Sequence, residues 1–169
     1  MVKKILLALI LLPFFVLLFA PKTELYHLLE KRLAAQDIVI SGEQIHTTPI
    51  GLTLEHPSFY VKGIPVATAR SISLWSLLLY SRMEVKGLVF DPSLKNFVPP
   101  SVQTITLIHS VVDPLHIQGS LTDPKMTGTG IIDLKGRSAT LHVSRLPGNS
   151  PLKRYLKRTK GGWVYESTF

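Results

Sequence analysis

The chain has 169 residues, of which 46% are hydrophobic and 18% charged, enough for one domain with a sizeable core and too apolar for disorder. Cysteine is absent, which excludes disulfide frameworks, thiolate zinc sites, cysteine nucleophiles and lipoprotein-type acylation. The net charge of +8 is concentrated at the two ends, and residues 23–150 hold eleven basic against ten acidic side chains; a nucleic-acid partner, which needs a basic face, is therefore not expected.

Lys3 and Lys4 precede an uncharged apolar run from Ile5 to Ala20, interrupted by Pro13 and ended by Pro21 and Lys22. Leu18 and Pro21 disfavour signal cleavage after Ala20, so residues 1–22 read as one uncleaved transmembrane anchor. Sixteen residues at ~1.5 Å rise span about 24 Å, which Met1, Val2 and snorkelling lysines extend toward a ~30 Å hydrocarbon core. The order of charge then apolar run favours an inside amino terminus, although Lys22, Lys31 and Arg32 on the other flank leave the positive-inside count undecided.

Residues 23–36 predict a juxtamembrane amphipathic helix, with Thr23 as cap and a stripe of Leu25, Leu28, Leu29 and Leu33. From Asp37 the period changes to two and glycine and proline punctuate the chain, which predicts a β domain over 37–149. The clearest strands are Leu115–Thr122 and Ala139–Ser144, each with one apolar and one polar face. Rougher alternation marks Leu52–Leu54, Phe59–Val61, Ile72–Leu74, Val85–Val89, Ile105–Leu107 and Ile132–Leu134. Trp75–Tyr80 reads as a strand end or a helical turn. The basic tail, 150–169, predicts a short helix over Ser150–Arg158 and a last strand at Trp163–Tyr165.

The fold class is therefore mainly β: a transmembrane helix, a short helix, then a curved antiparallel meander of eight or nine strands. Nine strands at ~4.8 Å spacing and about five residues each make a sheet roughly 43 by 17 Å, whereas one helix covers about 21 by 10 Å. The remaining apolar face must close into a sandwich or barrel, or stay open as a groove; periodicity leaves both open. Leu52, Leu54, Ile72, Leu74, Leu115, Ile117 and Leu141 are the candidate groove lining, with phospholipid as the implied ligand.

The stretch from Thr48 to Leu94 carries Gly51-Leu52-Thr53-Leu54, then Ala69-Arg70-Ser71-Ile72-Ser73-Leu74, then Ser76-Leu77-Leu78, and closes with Gly87-Leu88-Val89-Phe90-Asp91-Pro92-Ser93-Leu94. This grammar resembles the amino-terminal module of AsmA-like envelope proteins, especially the type II secretion pathway protein N. Gly119-Ser120-Leu121 and Gly128-Thr129-Gly130-Ile131-Ile132-Asp133-Leu134 look like later strands of that family. The resemblance implies a single-pass protein of the cell inner membrane with its bulk in the periplasm, acting as an accessory in type II secretion or envelope transport. It implies protein partners from the secretion system or envelope, and no catalytic residue.

The residues themselves offer little chemistry. Six histidines show no i, i+4 pair, no metal pattern emerges, and no cofactor is expected. Ser150-Pro151-Leu152-Lys153 has the serine and lysine spacing of penicillin-recognising enzymes, but without companion motifs it reads as a helix cap, and no enzyme is expected. Gly128 and Gly130 lack the following helix of a nucleotide loop. Lys153, Arg154, Lys157, Arg158 and Lys160 are the candidate contacts to an anionic membrane surface, on the expectation that they share a helix with Leu152 and Leu156.

Overall fold

The computed structural model describes residues 22–77, 79–148, 150–159 and 161–169. Residues 1–21 of the predicted transmembrane anchor lie outside them, as does Lys160, while the anchor's last predicted residue, Lys22, is the first of a helix; no described helix is long and apolar enough to cross a membrane. The described chain is one helix and one antiparallel sheet of thirteen strands. In order these are α1 (Lys22–Ala34), β1 (Ile38–Ser41), β2 (Gln44–Thr48), β3 (Gly51–Glu55), β4 (Ser58–Val61), β5 (Ile64–Thr68), β6 (Ser71–Leu77) and β7 (Tyr80–Phe90). They continue with β8 (Ser101–Ser110), β9 (Asp113–Asp123), β10 (Met126–Asp133), β11 (Ser138–Arg145), β12 (Lys157–Thr159) and β13 (Gly162–Thr168).

The strand count exceeds the predicted eight or nine by β1, β2, β5 and β12, the first three of which are halves of chain passes creased in the middle. The order is β1-β4-β5-β7 on one side of the crease and β2-β3-β6-β7 on the other, so residues 38–48, 51–61 and 64–77 each cross it once. Every pass beside its sequence neighbour is a meander, which continues through β8, β9, β10 and β11 before ending in the order β11-β13-β12. Gly42 at φ 79°, His56 at φ 54° before the fully buried Pro57, and Gly87 at φ 61° lie on the crease. Hydrogen bonds from His56 N–H to Arg70 O (3.0 Å), Ala69 N–H to Pro57 O (3.0 Å) and Arg70 N–H to Lys86 O (2.9 Å) stitch it together. Gly87 is required there: its φ suits glycine, and a Cβ would lie 3.0 Å from Arg70 Cβ.

Two covers pack on the sheet. At one end α1 seats Tyr26, 4% exposed, over Leu52 and Leu54, with Ile45 and Ile72 beside them. The predicted stripe is not the packed face: Leu25, Leu28 and Leu29 are each at least half exposed. A tertiary bond wins over periodicity, because the Tyr26 hydroxyl donates to Glu43 Oε1 at 2.6 Å. At the other end the chain after β11 lays Leu146, Leu152 and Leu156 against Val143, Met126, Val102 and Trp163.

The tail also differs from expectation. Pro151–Arg154 is a short 3-10 turn, Lys157–Thr159 is an edge strand, and the predicted basic helix does not form. Ser150 precedes the turn without making a side-chain cap bond. The pairs Lys157 with Val164 and Thr159 with Gly162 make residues 157–168 a hairpin, so the sheet runs past residue 149 to Thr168. Trp75 and Leu77 end β6 as strand, and β1, β2, β5 and β12 are strands that alternation had not marked.

Candidate functional site: an uncovered apolar face

Directly paired residues of neighbouring antiparallel strands project to the same face, so the register assigns each side chain to one side of the sheet. One row runs Ile45, Leu54, Ile72, Val85, Ile105, Leu121, Gly128, Val143 and Trp163 across nine strands. The two covers sit on this row, α1 at Leu54 and Ile72, the carboxy-terminal segment from Ile105 to Trp163. The next row on that face is Leu52, Leu74, Met83, Leu107, Gly119, Gly130, Leu141 and Tyr165. It extends over eight strands, about 34 Å at ~4.8 Å per strand. Leu74 is 43% and Tyr165 39% exposed, while Met83, Leu107 and Leu141 are only partly buried.

Two hollows lie along this second row. The first is a cleft of about 280 Å3 between α1 and the sheet, lined by Leu25, Tyr26, Leu29, Ile50, Leu52 and Leu74, with Lys22 and Ser76 also lining it. The second is a notch of about 180 Å3 centred on Gly119 and Gly130 and walled by Leu107, Leu121, Ile132, Ala139, Leu141 and Tyr165. The glycines form its floor: a Cβ at Gly119 would sit 3.2 Å from Leu107 Cδ2, and one at Gly130 would sit 3.1 Å from the Thr140 carbonyl oxygen. The exposed leucines of α1 therefore do not face open solvent alone, since Leu25 and Leu29 help wall the cleft.

Of the seven candidate groove residues, Leu52, Leu54, Ile72, Leu74, Ile117 and Leu141 stand on this one face by register, and Leu115 by alternation along β9. They do not share one environment. Leu52 and Leu54 are buried under Tyr26, Leu74 and Leu141 border the hollows, and Leu115 is 45% exposed at the end of β9. Met83, Leu107, Gly119, Gly130 and Tyr165 complete the row and are not among the seven residues expected to line the groove. The signal was there, in Gly119 and Gly130 on adjacent strands, but only the register makes them neighbours.

The opposite face is largely polar, with Ile108 and Ile131 as apolar exceptions beside a hollow of about 430 Å3. Its central row runs Thr53, Ser73, Glu84, Thr106, Ser120, Thr129 and His142. Glu84 is bracketed there by Arg82 and Lys86, each at 3.3 Å. The sheet thus separates a mainly apolar side from a mainly hydrated one, as antiparallel sheets with one packed and one solvated face commonly do.

The basic candidates are not a contiguous patch on a helix. Lys153 Nζ donates to the Gly148 carbonyl oxygen and stands 5.7 Å from the centroid of the Trp163 ring. Arg154 is exposed on the turn, and Lys157 and Arg158 are exposed on the edge strand, where charge discourages edge-to-edge pairing. Ser150 Oγ is buried without a hydrogen-bond partner, with Lys153 committed elsewhere.

Titratable groups gather at the β9–β10 end. His116 Nδ1 is 2.6 Å from Asp113 Oδ1 and pairs across strands with Asp133; the hydrogen bond to Asp113 raises the imidazole above its ordinary range. Asp133 accepts from the Gly136 and Lys135 amides at 2.8 and 2.9 Å, which holds its carboxyl below the usual range. Among the described residues no group of three His, Asp or Glu side chains is placed to hold a metal ion.

Compared with family models, with curated proteins and with solved structures, the chain has no significant match. The residues that carry the AsmA-like resemblance, Thr48 to Leu94, form β3 to β7 and so contain most of the crease and the α1 cleft floor.

Proposed function

We propose that this chain is a membrane-tethered lipid-binding module of the cell envelope. Residues 1–22 anchor it in the inner membrane, the sheet lies in the periplasm, and its apolar face holds the acyl chain of a phospholipid, in the transport role that the AsmA-like resemblance implies. The observation that carries this reading is the second apolar row, which the covers reach only at Leu52 and Leu141, leaving Leu74, Met83 and Leu107 between them without a cover. Burial of such a row in an acyl chain gains about 25 cal/mol per Å2, while a soluble sheet face left bare against water is a liability. The full chain in phospholipid nanodiscs, released inside a native mass spectrometer, should retain phospholipid; a Leu74→Lys variant should lose it. Full-chain protein that emerges without lipid would end this reading. Topology is checked separately, by alkaline phosphatase fused after Phe169, which should be active.

A second reading, an interaction part of a type II secretion or envelope assembly, is favoured by one observation. β12 pairs only with Gly162, Trp163 and Val164, which leaves the outer edge of β13 from Tyr165 to Thr168 without a strand partner among the described residues. Such an edge accepts an added strand from a partner protein. Crosslinking from position 166 to a secretion or envelope protein would favour it.

A further inference from the structure

The cleft under α1 and the glycine notch lie on one row of one face, and Leu74 borders the first while Gly119 and Gly130 floor the second. From β6 to β10 the row crosses four strand spacings, about 19 Å. Half of a ~30 Å hydrocarbon core is about 15 Å, so the distance is close to that of one extended phospholipid chain. Between the hollows stands Met83, with Leu107 next to it as the near wall of the notch, both apolar and partly buried, and methionine adapts readily to an irregular neighbour. Beyond the glycines the path is stopped, because Leu141 and Tyr165 continue the row as a wall.

Resting on the lipid-binding reading above, we infer that cleft and notch are the two ends of a single acyl-chain site, and that the notch measures the chain. The headgroup end is at the cleft, which contains the polar atoms of Lys22 and Ser76 and adjoins the apolar run. The methyl end is at the notch, whose 180 Å3 slightly exceeds the roughly 150 Å3 apolar cavity that accepts a benzene. A chain too short leaves the notch empty. A chain too long leaves methylenes against water, each lowering affinity about fourfold relative to a chain that fits.

The test uses the full chain in nanodiscs containing an equimolar series of saturated phosphatidylglycerols from ten to eighteen carbons per chain, with retained lipid read by native mass spectrometry. The retained series should peak at one length and fall about fourfold per methylene beyond it. Leu107→Ala removes three carbons from the notch wall and should move the peak about three methylenes longer. Gly119→Val adds three carbons, where the nearest atom is the flexible tip of Leu107, and should move it about as far in the opposite direction. A profile equal to the nanodisc composition, or a peak unmoved by both variants, overturns the ruler and leaves lipid binding standing. Absence of any retained lipid overturns both.

Discussion

Replacing Tyr26 by phenylalanine removes one oxygen from the buried side chain of α1 that packs on the sheet. That oxygen donates at 2.6 Å to Glu43 Oε1, and the other carboxylate oxygen, Oε2, is buried with no hydrogen-bond partner. Without the phenol the partly buried carboxylate loses the hydrogen bond on Oε1 while Oε2 stays without one. A hydrogen bond to a charged group contributes about 1.5–3 kcal/mol, and the variant should lose an amount in that range. For a chain of this size each kcal/mol shifts the melting temperature by about 2–4 °C. Urea unfolding of the full chain in micelles, followed by fluorescence of Trp75 and Trp163, measures it. Glu43→Gln keeps an acceptor and should lose less, and the double variant should fall short of the sum of the two singles. Burial raises the Tyr26 pKa well above its ordinary value, with the Glu43 hydrogen bond adding to it. A raised pKa means the contribution is whole below the unfolded value of about 10 and is lost as pH rises through the folded value, so Tyr26→Phe should flatten the alkaline limb only. A loss below about 0.5 kcal/mol would refute the idea that this bond, rather than the leucine stripe, orients α1.

Three further outcomes follow from the same structure. Gly87→Ala should destabilise by about 2 kcal/mol through its positive φ and the approach to Arg70 Cβ, whereas Gly63→Ala, with similar φ and open space around it, should cost about 1 kcal/mol; chemical denaturation compares them. Leu156→Ala should cost about 2–5 kcal/mol, because a side chain 8% exposed holds the carboxy-terminal cover on Val143 and Met126, and hydrogen exchange should rise at Leu146–Leu156. The His116 imidazole should titrate above its ordinary value of about 6.5 by NMR and return toward it in Asp113→Asn. Its ion pair is complete below the unfolded pKa and fades as pH rises through the folded one, so the variant's effect should vanish at alkaline pH.

Where alternation was clean the strands were legible. β9 and β11 were expected at Leu115–Thr122 and Ala139–Ser144, and they stand at Asp113–Asp123 and Ser138–Arg145, because one wet and one apolar face admit one register. The creased passes were legible only in the halves β3, β4 and β6, and their continuity across the crease was not. Gly42 and Pro57 look like strand terminators in sequence, yet each sits at a bend within a pass whose two halves keep the same neighbours, whereas Gly87 bends a strand whose alternation continues through it as Val85–Val89. The basic tail was misjudged for a related reason. Lys153, Arg154, Lys157 and Arg158 fall at helical spacing, but the Gly161–Gly162 turn returns the chain onto β11, and pairing with β13 outweighs local propensity. The apolar character of the face was visible residue by residue, while its division into covered and open rows required knowing that α1 stands on Tyr26.

In the proposed lipid site, an acyl chain meets the row through Met83 and Leu107 and avoids the opposite face. A benzoyl-phenylalanine at Leu107 and another at Gln118, exposed on the polar face of the adjacent strand, test it in the full chain embedded in phospholipid vesicles. On irradiation the probe at residue 107 should form a covalent phospholipid adduct detectable by mass, and the probe at 118 should not. Equal labelling from both faces, or none from residue 107, would contradict the account.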